Sequence, residues 1–262
     1  MTANVLNHTA SPHISSELIV MSCISGILFD KDGVFVDFEK TWTPVLRLIA
    51  ADVSGGDKAL EERLLDVAGF DPAADVFLPG SVWAAGHADD LVEIWHPMLS
   101  GQTKWTLLDC VSTHCQRAPA HPLLPLGELR GIFSDLKSQG LKLGVATNDG
   151  TASARTTVGA FGLSDMFDVV LGYDAVSNPK PAGDPVVEFA NRTGIAPASV
   201  VMVGDNTHDM HCGRAGGVGL CVGVLSGNSS RSELAPLADH VINDISGLAV
   251  LLRSLEHLAQ IK

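Results

Sequence analysis

The stretch Gly26-Ile27-Leu28-Phe29-Asp30-Lys31-Asp32-Gly33-Val34 decides how the rest of the chain reads. An apolar run from Cys23 to Phe29 ends abruptly in two carboxylates one residue apart, and a glycine follows. A short unbroken apolar run describes a strand buried on both faces. A buried helical segment has the same composition, but Gly33 directly after the run favours a strand feeding a tight turn. Two acids at the end of a central strand are costly to desolvate unless something cationic lies between them. A divalent metal meets that need. A surface turn whose aspartates cap local backbone is the other reading of an isolated D-x-D-G.

Downstream of this stretch the chain divides into two regimes. Val34 to Phe38 reads as short and extended. The block from Glu39 to about Ala120 then carries helical punctuation. Thr43-Pro44 reads as an N-cap with proline at the first helical position, and Gly55-Gly56 ends the segment. Further helices are predicted from Asp57 to Gly69, over Asp89–Leu99 and over Thr103–Arg117. Strand signals are nearly absent, so the block reads as an all-helical insertion.

Beyond the proline-rich boundary at His121-Pro122-Leu123-Leu124-Pro125 the rhythm becomes helix, strand, helix, strand. Strands are predicted over Leu141–Ala146, Phe167–Leu171, Ser199–Val203 and Val218–Val222. Helices between them run over Leu126–Gln139, Ala152–Phe161, Asp184–Thr193 and Thr207–Ala215, and Ile245–His257 closes the chain. This alternation predicts a Rossmann-like α/β core, a mostly parallel sheet with helices on both faces. Ligands bind such sheets beyond the carboxyl ends of the strands. The polar clusters Asp30/Asp32, Thr147/Asn148 and Asp205/Asp209 fall at those ends, and Lys180 sits between two prolines on a loop. The expected organisation is a tail over 1–20, a catalytic core over 21–38 and 122–262, and a helical cap over 39–121.

Composition narrows the function classes. The chain has 262 residues, 46% hydrophobic and 18% charged, which predicts a packed core rather than disorder. A formal net charge of −13 argues against nucleic acid or an anionic membrane as partner, since both demand clustered Lys and Arg. A small anionic substrate remains compatible, because one local cation site can outweigh the global field. Five scattered cysteines, Cys23, Cys110, Cys115, Cys212 and Cys221, fit reduced thiols in a cytoplasmic protein better than a disulfide framework. No apolar run approaches the roughly 18 residues of a membrane span. The segment Met1–Ser16 lacks Lys and Arg and does not read as a signal peptide. Met21 directly precedes the first strand and is an alternative start.

Four motifs in this order carry a resemblance: Phe29-Asp30-Lys31-Asp32-Gly33-Val34, Ala146-Thr147-Asn148, Lys180-Pro181, and Gly204-Asp205-Asn206-Thr207-His208-Asp209-Met210. From about Ile24 to the C-terminus the chain resembles the phosphatases of the haloacid dehalogenase (HAD) superfamily. The subgroup is the one with a helical C1-type cap after the first motif, and the flavour is phosphoglycolate-phosphatase-like. The resemblance implies Mg²⁺-dependent hydrolysis of a small phosphorylated metabolite, by a monomer or homodimer. Asp30 would be the nucleophile that forms an aspartyl-phosphate, already ionised at neutral pH. Asp32 would protonate the leaving alkoxide and then activate water. Asp30, Asp205 and the Asp32 backbone carbonyl would hold Mg²⁺ in a hard oxygen shell. Asp209 would orient that shell or Lys180. Thr147, Asn148 and Lys180 would bind the phosphoryl oxygens.

Each residue has an ordinary reading when taken alone. Thr147-Asn148 is a helix N-cap, Lys180 a solvated loop lysine, and Asp205/Asp209 one polar helix face. Joint placement at strand ends is what raises them. Cys110, His114, Cys115 and His121 suggest zinc, but their spacing matches no paired Cys-x-x-Cys pattern and predicts thiols and a surface histidine. His208 and His211 flank Asp209 and read as helix-start residues. Trp42, Arg47, Trp83, His87, Trp95 and Lys104 are the cap residues able to face substrate, with Arg47 the foremost candidate for a carboxylate.

Rival readings share the scaffold. A dehalogenase usually lacks the acid that Asp32 supplies. A P-type-ATPase-like domain resembles D-K-T-G-T, where this chain has Asp32. A phosphonate hydrolase wants a cap lysine, and Lys40, Lys58 and Lys104 offer no clear one. A phosphomutase usually has an acid pair where this chain has Gly204-Asp205. A catalytically silent binding protein is the alternative outside the enzymes.

Overall fold

A computed structural model describes residues 24–78 and 80–260. The expected tail, the alternative start at Met21 and Cys23 lie outside the described residues. The central sheet has the strand order β5-β4-β1-β6-β7-β8, where β1 is Gly26–Phe29, β4 Lys142–Ala146, β5 Val169–Leu171, β6 Val200–Gly204, β7 Leu220–Val224 and β8 His240–Ile242. Every neighbouring pair in it is parallel. β1 lies in the middle because both its faces and both its edges can be covered by apolar groups, as its four fully buried residues show.

Side chains leave each strand alternately to two cores. Ile27 and Phe29 join Val145, Val203 and Val222 on one face, where Leu129, Phe133 and Leu136 of α6 (Leu126–Ser138) cover them. Leu28 and Met202 point to the other face, against Val186 and Phe189 of α8 (Asp184–Thr193). Gly144 lets α8 approach closely, since a Cβ there would meet the Phe189 ring at 2.6 Å. Phe133 is an aromatic hub, with ring centroids 5.3 Å from Phe29, 5.6 Å from Phe35 and 4.9 Å from Phe167. These contacts are edge-to-face.

Between β1 and α6 the chain makes a helical excursion with its own core. Its long helices are α1 (Phe38–Val53), α2 (Lys58–Val67), α4 (Ala88–Trp95) and α5 (Lys104–Gln116), with the short α3 at Val82–Ala85. Trp42, Leu46, Ile49, Leu64, Leu91, Trp95 and Leu107 pack there, separately from the two sheet cores. Two sequence expectations need correction. The excursion is not all-helical: β2 (Phe70–Asp71) and β3 (Val76–Phe77) form a two-residue antiparallel ladder. Such a ladder is too short to leave a periodic signal. The first helix also starts earlier than Pro44. Asp37 caps it by accepting from the Lys40 N–H at 3.1 Å, so Pro44 lies inside the helix. Asp57 and Thr103 cap α2 and α5 where the sequence places them.

The remaining elements are α7 (Thr151–Ala160), α9 (Thr207–Gly216), α10 (Arg231–Leu234) and α11 (Leu248–Gln260). Strand β8, three residues long, and helix α10, four residues long, are too short to leave a periodic signal in the sequence. No described helix is long and apolar enough to cross a membrane. The four described cysteines are free thiols.

Because Phe133 ties three rings of one core together, Phe133→Ala is expected to lower unfolding free energy by about 3–5 kcal/mol. Urea denaturation followed by circular dichroism measures it. A loss below about 1 kcal/mol would mean that the rings do not pack as described.

Candidate active site

Register brings three loops to one point. Phe29 pairs with Val145 on one side and Val203 on the other. Asp30 therefore stands level with Ala146 and Gly204, and Thr147 and Asp205 follow one residue on. The Asp30 N–H donates to Val203 O at 2.8 Å, which keeps the strand geometry through the first aspartate. The chain then turns at Gly33, whose φ is +73° and where a Cβ would lie 2.5 Å from the Asp205 carboxylate. Gly204 has a similar constraint: a Cβ there would lie 2.2 Å from Asp209 Oδ2.

Asp30, Asp205 and Asp209 each offer an oxygen within 4.8 Å of the others, and all three are buried. Lys180 Nζ reaches into this group. It donates to Asp30 Oδ1 at 2.6 Å and to Asp209 Oδ1 at 2.7 Å. Asp209 Oδ2 accepts the Asn206 N–H at 3.0 Å, and Asp205 Oδ2 accepts the Asn228 N–H at 2.9 Å. Burial pushes Asp30 up to about 7, with Lys180 opposing and Asp209 adding to the rise. Burial, then Asp209 and Asp30, push Asp205 well above the usual carboxylate range. Burial disfavours the charge on Lys180, but Asp209 and Asp30 outweigh it and hold the ammonium above its ordinary range.

These groups fit a divalent cation. The donors are carboxylate oxygens, suited to a hard ion. One ammonium faces three buried carboxylates, so a further positive charge would relieve the desolvation that raises Asp30 and Asp205.

Asp32 lies to the side of this cluster and is held separately. Lys31 Nζ contacts both of its oxygens, at 2.9 and 2.8 Å, and Trp42 Nε1 donates to Oδ1 at 2.6 Å. Lys31 is fully buried, lies 3.3 Å from Asp149 Oδ2 and sits 4.8 Å over the Trp42 ring. Burial disfavours its charge, and Asp32 and Asp149 more than compensate, so its affinity for the proton rises. Lys31 and Asp149 were not foreseen as site residues. The available signal was a lysine set between two aspartates directly beyond a buried apolar strand, where a charge persists only if paired.

Thr147 and Asn148 follow β4 as expected, but their side chains are partly engaged. Thr147 Oγ1 accepts the Asp149 N–H at 3.1 Å. Asn148 Nδ2 donates to Ala85 O at 2.9 Å and to Lys180 O at 3.2 Å. His208 Nδ1 also lies 3.1 Å from Ala85 O. The carbonyl that closes α3 thus docks onto two residues of the core.

A cavity of about 160 Å³ lies between the excursion and the sheet, lined by Asp30, Thr147, Lys180 and Asp205 below and by Trp42, Trp83 and His87 above. Arg47 is not among its walls. It pairs with Asp75 and lies 4.7 Å over the Phe70 ring, so the structure corrects its assignment as a substrate ligand. Its side of α1 faces the small ladder rather than the site. Trp95 is fully buried and donates to Leu64 O at 3.0 Å. Lys104 pairs with Glu93 on the surface, and His211 is exposed. Of the residues once considered for zinc, Cys110 and His114 share Asp52, at 3.6 and 3.3 Å, while Cys115 lines the cavity.

Comparison with known proteins agrees with this architecture. The family described as haloacid dehalogenase-like hydrolase matches residues 27–222. A Dickeya dadantii protein bearing the name "Probable phosphatase IndB" is 38% identical over 109 residues, 42% of this chain and 47% of that protein. Phosphoglycolate phosphatase of Escherichia coli is 35% identical over 113 residues, 42% of this chain and 45% of its own length. The chain thus spans about half the length of the curated relatives it matches. The structure of a hydrolase from Pseudomonas syringae superposes with a TM-score of 0.63 at 20% identity, covering 88% of this chain and 98% of that one. At that identity the likeness speaks for the fold alone. With three-quarters of its length, the strands β4 and β6 that flank β1 and the Asp30, Lys180 and Asp205 cluster inside the matched span, the chain belongs to the haloacid dehalogenase-like hydrolase family.

Proposed function

We propose that this protein is a Mg²⁺-dependent phosphatase that hydrolyses a small phosphate monoester through an aspartyl-phosphate on Asp30. The observation that carries the reading is the placement of Lys180, 2.6 Å from Asp30 and 2.7 Å from Asp209, beside Asp205 at the strand ends. Relatives named for phosphatase activity support it.

Asp30 is the nucleophile. A bond forms between its carboxylate oxygen and phosphorus as the ester P–O bond breaks. The carboxylates of Asp30 and Asp205, with the Asp32 backbone carbonyl, would hold Mg²⁺, which would screen nucleophile from phosphate and stabilise charge in the transition state. Lys180 favours the ionised form of Asp30 against its burial and orients it, and its own position is fixed by Asp209. Thr147 and the backbone N–H groups of the two loops bind the phosphoryl oxygens. Asn148 contributes by anchoring the excursion through Ala85.

Asp32 carries the proton. It protonates the leaving alkoxide, then accepts a proton from the water that attacks the aspartyl-phosphate. Lys31 and Trp42 fix its carboxyl so that one orientation serves both steps. Residues 39–121 act as a cap that closes over the site and limits the access of water.

Replacement of the nucleophile separates chemistry from binding. Asp30→Asn is expected to lower phosphate release from p-nitrophenyl phosphate by at least about 10³-fold, with an unchanged circular dichroism spectrum. Activity within tenfold of wild type would overturn the assignment. A full loss in the presence of EDTA, restored by added Mg²⁺, is expected in the same assay.

A second outcome follows from the raised carboxylates. Asp30 is pushed from 3.8 to about 7 in the fold, so between these values the folded state binds more protons than the unfolded one. Its contribution to stability is therefore favourable at low pH and is lost as pH rises through about 7. Asp205 acts in the same direction. Metal-free protein is expected to melt at lower temperature at pH 8 than at pH 5.5, and millimolar Mg²⁺ is expected to recover most of the difference at pH 8. Melting temperatures that rise with pH without metal would contradict this account.

A further inference from the structure

The walls of the cavity above Asp30 differ in what they can accept. Phe38, Trp42 and Trp83 form an apolar roof, with the two indoles edge to face at 6.0 Å and 83°. At one side the His87 ring stacks on Tyr173, 5.0 Å apart and 7° from parallel. The remaining acidic walls, apart from Asp30, Asp205 and Asp209, are Asp32, Asp149 and Asp174.

Positive charge is scarce and already committed. Among the described residues lining the cavity, Lys180 is the one lysine or arginine, and Asp30 and Asp209 hold it. Lys31 behind the wall is held by Asp32 and Asp149. Arg47 is turned to Asp75. His87 lies 3.5 Å from Asp90, and His208 is turned to the Ala85 carbonyl. A second anionic group on a substrate would thus enter a space walled mainly by indoles and carboxylates, with no lysine or arginine free to meet it and with His87, itself flanked by Asp89 and Asp90, the one wall residue holding an open ring nitrogen.

Four side-chain atoms of wall residues lack a hydrogen-bond partner: Trp83 Nε1, His87 Nδ1, Asn148 Oδ1 and Asp149 Oδ2. Asp149 Oδ2 has Lys31 at 3.3 Å, which leaves Trp83 Nε1 as a buried donor, Asn148 Oδ1 as a buried acceptor and His87 Nδ1 as either. The orientation of the Asn148 amide is fixed, because Nδ2 donates to two carbonyls. Buried unpaired atoms of this kind call for a partner. The volume of about 160 Å³ also sets a limit. A cavity of ~150 Å³ holds one benzene-sized molecule, so what enters with the phosphoryl group is compact.

We infer that the site selects phosphate monoesters of compact, uncharged alcohols carrying both a hydrogen-bond acceptor, for Trp83 Nε1, and a donor, for Asn148 Oδ1, and discriminates against esters with a second anionic group. The inference rests on the phosphatase reading above and narrows it. It sets this chain apart from an enzyme built for a phosphorylated carboxylic acid, which would present a cation to the carboxylate.

An isosteric pair tests it. 2-Phosphoglycolate and its primary amide have nearly the same shape, but the amide is uncharged at the distal end and offers both donor and acceptor. Wild-type protein with Mg²⁺ is expected to show kcat/KM at least about tenfold higher for the amide. Trp83→Phe removes the donor and is expected to raise KM for the amide about fivefold more than KM for ethyl phosphate, which has no distal acceptor. Calorimetry of both glycolyl esters with Asp30→Asn protein gives the same ranking without turnover, with the amide binding about tenfold tighter. Equal or better use of phosphoglycolate, in turnover and in binding, would overturn the inference while leaving the phosphatase reading intact. Failure of all three esters to release phosphate would sink the phosphatase reading instead, and the calorimetric ranking would still decide the charge preference of the pocket.

Discussion

Three carboxylates held out of water around one ammonium are the constraint on which the rest depends. Asp30, Asp205 and Asp209 cannot all remain ionised in a buried site without positive charge between them. Lys180 meets part of that demand, and its two short contacts fix the loop that delivers it. Everything that brings these four residues together is costly to disturb. The register of β1 between β4 and β6, the left-handed turn at Gly33 and the absence of a side chain at Gly204 each act at this point. The apolar faces of the sheet supply the rigidity that holds like charges close.

A second charged group stands apart. Lys31 takes Asp32 and Asp149, so the two aspartates of the first motif have different cations and different surroundings. Division of this kind gives neighbouring carboxyl groups distinct tasks without needing distance between them. It also makes the indole of Trp42 part of the same arrangement, since it donates to Asp32 and lies beneath Lys31. The excursion therefore contributes to the floor of the site as well as to its roof.

The sheet and the core of the site were legible in the sequence because they rest on local pattern. The runs at Phe29, Ala146 and Gly204 end in polar residues at matching points of a period-two structure, and parallel alternation brings such points to one edge. Asp30, Thr147 and Asp205 could be placed by that rule, whereas Lys180, on a loop beyond β5, was marked by the Lys180-Pro181 motif. Arg47 could not, because its direction depends on where α1 faces, and an amphipathic helix pattern says only which side is buried. The ladder at Phe70–Asp71 and Val76–Phe77 is too brief for periodicity. The pairing of Lys31 with Asp149 links residues far apart in the chain, and nothing local marks it.

The docking of α3 has a consequence for how this chain can vary. The acceptor shared by Asn148 and His208 is the main-chain oxygen of Ala85, a group that any amino acid supplies. The acceptor that holds the excursion to the core is thus present whichever residue occupies position 85. Neighbouring wall positions can be exchanged while these two contacts are kept. The hold between the two parts is written in the backbone, and the chemistry of the cavity wall in the side chains, of the same stretch of chain.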